Sequence, residues 1–297
     1  MPHPHSHHDE GTHGHSSGTK RVNGIFAIGV SLNLLFVIVE WLFGIYSNSL
    51  SLIADAVHNL GDVLGLLLAW GATLLAQKKA NQKFTYGLKG STILAALINA
   101  ASLLVVTGGL CWEAMHRMNQ TIPINEMTVI AVASAGIFVN GITAWLFLTG
   151  GKSDLNMRGA YLHLASDAAI SAAVVIGAGL MMYTGWAVID PLLTLIVSAV
   201  IVLSTWPMLT QSLAMALQAV PASIDMSKVT GFLSSRNGVT QVHDVHIWAV
   251  STTENAITAH LVMPSGHPGD DFFDQLSEEL LNQFKIHHCT FQIKLSN

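Results

Sequence analysis

The sequence predicts a membrane all-α bundle of six transmembrane helices, followed by a C-terminal cytoplasmic α+β domain of ferredoxin-like type. Three observations predict it. Of the 297 residues 51% are apolar and only 10% are charged, and the mean hydropathy is positive. That balance belongs to polytopic membrane proteins rather than to soluble enzymes. Six apolar stretches each reach or exceed the ~20 residues that a helix needs to cross a bilayer. Beyond Leu209 the charge density returns to an ordinary level and the pattern becomes soluble in style.

Composition also excludes some classes. The net charge of −5 is spread along the chain and leaves no basic footprint for nucleic acid. Cys111 and Cys289 are far apart in sequence, so no disulfide framework is implied. The polar start lacks the charged n-region and short apolar core of a signal peptide.

Residues 1–20 are expected to form a disordered, His-rich cytoplasmic tail. His3, His5, His7, His8, His13 and His15 stand there among Gly, Ser, Pro, Asp and Glu. Such a tract cannot bury a core, and its irregular spacing suits loose metal collection without a fixed geometry. A transmembrane domain is drawn over 21–210. Its spans are Asn23–Tyr46, Leu50–Ala76, Leu88–Trp112, Met127–Thr149, Gly159–Tyr183 and Trp186–Leu209.

Each span has a polar exception. These exceptions include Asn33 and Glu40 in the first, Asn99 in the third and Asn140 in the fourth; Asn33, Glu40 and Asn140 read as interhelical hydrogen-bonders rather than ligands, and Asp190-Pro191 as the start of the sixth helix. Runs of small residues such as Ala95, Ala96, Ala100 and Ala101 let helices approach closely. Lys20, Arg21, Lys78, Lys79, Lys83, Lys89, Lys152 and Arg158 all fall on one side, and only Arg117 falls on the other. The basic side faces the cytoplasm, so both termini are placed there, in an inner (plasma) membrane.

Residues 211–297 make the last domain. Asp225–Ser235 reads as a helix after Pro221, Val239–Val250 and Asn255–Met263 as strands, Asp270–Phe284 as an amphipathic helix, and His287–Leu295 as a closing strand. The order α-β-β-α-β suits an open-faced sandwich.

The stretch with most chemistry is SLSLIADAVHNLGDV, Ser49–Val63. On a helix His58 and Asp62 share one face, and Asp55 lies on nearly the same stripe. The fifth span repeats the pattern with His163 and Asp167. Charges in such surroundings cost roughly 2.5–3.5 kcal/mol each on insertion scales, which marks them as functional. Two imidazoles and two carboxylates make a tetrahedral zinc set, and the carboxylates cancel the charge of the ion. Imidazole also titrates near neutrality, so a proton competes with the metal for the same nitrogen. Asp55 reads either as support or proton path, or as a cap or hinge near the outer end.

In the C-terminal domain His243, His260 and His287, with His246, His288 and Cys289 less favoured, are candidates for a regulatory metal site. His243 and His246 point to opposite faces of their strand unless a bulge intervenes. Two rival functions stand beside transport: an intramembrane zinc hydrolase, and a membrane-anchored metal sensor. The first needs an open coordination position and a base; no H-E-x-x-H is present, although Asp55 could serve as base. The second needs the membrane part only as anchor, which the polar residues threaded through several spans oppose.

The pieces SNSLSLIADAVHNLGD, FTYGLKG, YLHLASDA, IDPLLTLIV and VHDVHIW…AHL…TFQIK together resemble the cation diffusion facilitator family, in its zinc-transporting branch (the bacterial zinc/cobalt/cadmium efflux type). The resemblance spans Arg21 to Leu295. It implies a homodimer with a cytoplasmic metallochaperone-like domain, and proton-coupled export of divalent metal with no catalysis and no organic cofactor. By position His58, Asp62, His163 and Asp167 match the transport quartet. A His-Asp pair on both helices is similar to zinc-selective members; members that handle manganese tend to carry Asp in place of His. The loop Gln77–Lys83 lacks the acid and histidine ligands that some relatives place there, so no metal is assigned to it.

Overall fold

A computed structural model describes residues 16–120, 122–150 and 155–296. The His-rich tract with His3, His5, His7, His8, His13 and His15 lies outside them. Six long helices come first: α1 (Ser16–Ser47), α2 (Leu50–Ala76), α3 (Ser91–Arg117), α4 (Glu126–Gly150), α5 (Leu155–Thr184) and α6 (Ile189–Ala216). Among the described residues five of them, α2 to α6, hold spans long and apolar enough to cross a membrane; α1 adds a shorter apolar run, Asn33–Ser47. Large apolar side chains such as Val105, Trp112, Phe138 and Leu203 stand exposed on their outer faces. Apolar surface on that scale belongs against lipid.

Local chemistry sets the ends. Asn48 adopts the left-handed conformation (φ 58°) and turns the chain from α1 into α2. Ser49, in extended conformation, caps α2 by accepting from the Leu52 amide at 3.2 Å, which satisfies a donor that the first turn leaves free. The sixth helix runs to Ala216, past the change of composition at Leu209, and carries Pro207 inside it.

The helices pair unevenly. α4 packs extensively on α5 and α3 on α6, α2 bridges α1 and α3, and α2 meets α5 only briefly. Where α5 crosses α6, Gly177 leaves room for the Leu193 side chain, which would have to move if a Cβ were added there.

The remaining elements are α7 (Met226–Ser234), β1 (Gln241–Ala249), β2 (Asn255–Val262), α8 (Asp270–Phe284) and β3 (Ile286–Lys294), in the expected order. β1 pairs antiparallel with β2, and β2 pairs parallel with β3 through the α8 crossover. The two helices close over Val229, Leu233, Ile247, Ile257, Leu261, Leu276, Leu280 and Ile286. Asp225 caps α7 by accepting from Ser227 N at 2.9 Å.

The sheet touches the helical bundle at one corner. Lys89 Nζ lies 2.6 Å from Glu254 Oε2, His288 Nε2 lies 3.1 Å from the same oxygen, and Thr252 N donates to Thr92 Oγ1 at 3.1 Å. Tyr86 meets the His288 ring edge-on at 5.4 Å.

Candidate metal centre

His58 and Asp62 reach one face of α2 because four residues nearly complete a turn, and His163 and Asp167 do the same on α5. The two pairs face each other crosswise. His58 Nε2 lies 3.2 Å from Asp167 Oδ1 and 3.9 Å from Asp62 Oδ2. His163 Nε2 lies 3.3 Å from Asp62 Oδ2 and 3.7 Å from Asp167 Oδ2. A tetrahedral zinc with bonds of about 2.0–2.2 Å sets its ligand atoms about 3.3–3.6 Å apart; the four separations, 3.2–3.9 Å, bracket that range. Ligand atoms of His58, Asp62 and Asp167 lie within 4.8 Å of one another, a group that does not include His163.

Burial grades across the four. The Asp167 and His58 side chains are 3% and 10% exposed, whereas Asp62 and His163 are 32% and 49% exposed. The open side therefore carries one ligand from each helix. Asp62 Oδ2 and His58 Nδ1 are buried without a hydrogen-bond partner; His58 thus has a ring nitrogen to spare beyond the one aimed at the centre.

On the α2 N-terminal side the site is backed by a buried polar chain. Ser171 Oγ donates to Asp55 Oδ2 at 2.8 Å, and Asn59 Nδ2 donates to Glu40 Oε2 at 3.1 Å. Asp55 touches this chain rather than the quartet. At the end of α2 the Asp190 carboxylate accepts from Ser49 Oγ (2.6 Å), Leu50 N (2.7 Å), Ser51 N (3.2 Å) and Ser51 Oγ (2.6 Å).

In the C-terminal domain the register slips between His243 and His246, and Asp244 takes a φ of 51°. This bulge puts Val242 and Val245 both against the core, so His243 and His246 share the outer face. The His243 and His260 rings pair across the strands at 5.2 Å; Asp244 Oδ1 lies 3.0 Å from His246 Nε2, and its Oδ2 3.3 Å from His260 Nε2. The hydrogen bond from His246, helped by the charge of His260, holds the Asp244 carboxyl below the usual range. His287 lies elsewhere. Gln292, not His287, pairs with His260, and the Asn255 amide donates to His287 Nδ1 at 3.4 Å at the far end of the sheet. His288 belongs to the Glu254 corner. Cys289 packs toward the core, and burial pushes its thiol up. The expected set of three thus separates: His243 and His260 come together, joined by His246 and Asp244, without His287.

Residues 26–217 match the cation efflux transmembrane domain, and residues 221–295 match the cytoplasmic domain of cation efflux proteins. The chain belongs to the cation efflux family. That family is one of membrane transporters rather than enzymes. The zinc transporter ZitB of Escherichia coli (strain K12) is 32% identical over 99% of this chain and 93% of its own. The metal cation efflux system protein CzcD of Cupriavidus metallidurans is 32% identical over 96% and 90%. A protein of Bacillus subtilis named a cadmium, cobalt and zinc/H(+)-K(+) antiporter is 31% identical over 95% and 91%.

Within this efflux-family chain, sequence reasoning missed two things. The fourfold acceptance by Asp190 was visible only as a helix-start carboxylate; the Ser49/Ser51 pair at the neighbouring helix start was its signal. The role of Asp244 was hidden because a bulge cannot be read from alternation alone.

Proposed function

We propose that the chain exports Zn²⁺ from the cytoplasm across the inner membrane in exchange for protons, by alternating access at His58, Asp62, His163 and Asp167. The observation that carries this reading is the crosswise set of His–carboxylate separations, 3.2–3.9 Å, between two helices that pack only briefly. Zinc is cargo here. It enters on the side where Asp62 and His163 are exposed, is held by two imidazoles and two carboxylates, and leaves when the α2 and α5 halves shift and an imidazole takes a proton. Asp55 supports the site from behind. The names of the relatives make cadmium and cobalt further candidate cargoes.

The same reading gives six crossings, with α1 as the first, both termini cytoplasmic, the helical domain over 21–210 and the metallochaperone-like domain over 211–297, in a homodimer. The dimer reading draws on the match of 221–295 to the domain that pairs family members. A regulatory zinc fits His243, His260 and His246 with Asp244; His287, His288 and Cys289 stand apart from it. The His-rich tail would collect metal loosely.

The test is flux. Purified protein in vesicles should take up zinc against a proton counterflow, and Asp62→Ala or Asp167→Ala should abolish both. Exchange that persists in both variants would sink the assignment of the quartet. Zinc-dependent hydrolysis without metal flux would favour an enzyme.

A further inference from the structure

Next to the quartet lies a buried acid pair that metal binding does not use. Glu40 of α1 and Asp55 of α2 are both fully buried where the two helices pack. One amide nitrogen, Asn59 Nδ2, bridges them, at 3.1 Å from Glu40 Oε2 and 3.5 Å from Asp55 Oδ1. Ser171 of α5, also fully buried, donates to the other Asp55 oxygen. Glu40 Oε1 is buried with no partner at all.

Among the described residues neither lysine nor arginine is among the groups that act on this pair. Among the described residues the charged and titratable groups on the packed helices are few. On α2 and α5 they are His58, Asp62, Tyr161, His163, Asp167 and Tyr183, of which His58 and Asp167 act on Asp55. On α4 there is Glu126 at the far end; on α6 there is Asp190, already engaged by the first turn of α2. On α3 there are Glu113, His116 and Arg117 in the last turns. Neither member of the pair is hydrogen-bonded to a quartet ligand. With no cation beside them, two carboxylates this close in an apolar interior cannot both be ionised; like charges sharing a site then hold a proton between them. An acid pair with one free oxygen and one bridging amide is built for that proton.

We propose that Glu40 and Asp55 together form a proton-binding site, distinct from the metal quartet, which carries a counter-transported proton. This rests on the antiport reading above and names where one of its protons sits. The step is a simple protonation: the pair, doubly ionised only while the zinc dication lies beside it, takes up one shared H⁺ when zinc leaves and gives it up when zinc returns. Coupling is electrostatic and local. Asp55 stands one turn from His58, Asn59 is its neighbour in sequence, and Ser171 stands one turn from Asp167. A dication arriving at the quartet disfavours a proton on the pair, and by reciprocity a proton on the pair weakens zinc.

The experiment measures protons released per zinc bound, by calorimetry of the full chain in buffers of different ionisation enthalpy, with zinc uptake in vesicles alongside. Glu40→Gln and Asp55→Asn should keep zinc affinity within about tenfold of the parent and release about one proton fewer per zinc. Uptake in both should lose part of its response to an imposed pH gradient, and Glu40→Asp should restore it. Unchanged proton release in Glu40→Gln would overturn the proposal. So would loss of zinc binding in both neutral variants, because the pair would then be scaffold. A parent with no zinc-driven proton flow would instead remove the antiport reading itself, whatever the variants do.

Discussion

Asp190 caps the backbone of Leu50: its Oδ2 accepts from that amide at 2.7 Å, although 140 residues separate the two. The carboxylate is 1% exposed and takes three further hydrogen bonds from Ser49 and Ser51. A helix N-terminus favours an anion, so the start of α6 and the start of α2 are tied by charge as well as by geometry. Removing the carboxylate takes the acceptor from two backbone amides and two hydroxyls, of which the hydroxyls keep only each other. Asp190→Ala should therefore lower stability by about 3 kcal/mol or more, read as a fall in the unfolding temperature in detergent. Asp190→Asn, which keeps an acceptor, should fall by clearly less; equal losses would mean that the charge and its hydrogen bonds are not what the site uses.

The donor set at the quartet predicts metal preference. His58→Asp replaces a borderline nitrogen by a hard oxygen. Competition binding should then shift from Zn²⁺ toward Mn²⁺ by about tenfold or more. An unchanged ratio would show that His58 is not a ligand.

The corner between bundle and sheet predicts a pH dependence. The Lys89 ammonium, with His288 beside it, holds the Glu254 carboxyl below its ordinary value. A lowered carboxyl pKa stabilises the contact fully above the ordinary value of 4.5, and the contribution is lost as the pH falls through the lowered value. Hydrogen-exchange protection at Thr252 and Glu254, relative to the intrinsic rate at each pH, should therefore stay high at neutral pH and fall in that acid window. In Glu254→Gln the fall should vanish and protection should be lower throughout. Lys89→Ala and Glu254→Ala should be non-additive in a double-mutant cycle, by about 0.5–1 kcal/mol.

The outer face of the sheet predicts a second, separable metal. Bound zinc per protomer should fall by about one in His243→Ala or His260→Ala, while His287→Ala should leave it unchanged. Elemental analysis of the purified full chain reads this directly. A fall in His287→Ala would mean that the strands rearrange to bring that residue in.

Much of this was legible in the sequence, and for physical reasons. The i, i+4 spacing of His58 with Asp62 and of His163 with Asp167 is local and survives any arrangement of helices, so each half of the site could be read from its own segment. The α-β-β-α-β order was equally plain, because period-two and period-3.6 patterns differ. Long-range partners were not legible. Nothing local to Asp190 points 140 residues back to Leu50, and nothing in VHDVH announces that Asp244 adopts a positive φ and turns His243 and His246 to one side. The end of α6 was missed because polarity rises at Gln211 while the helical hydrogen bonding does not stop until Ala216.

The brief meeting of α2 and α5 has one more consequence. With so little protein between them, an ion held by the quartet would be the mortar of the bundle. A loaded chain should resist heat better than an empty one, by about 2.7 kcal/mol at a hundredfold excess over the dissociation constant. The melting temperature of this protein would then serve as a gauge of the zinc around it.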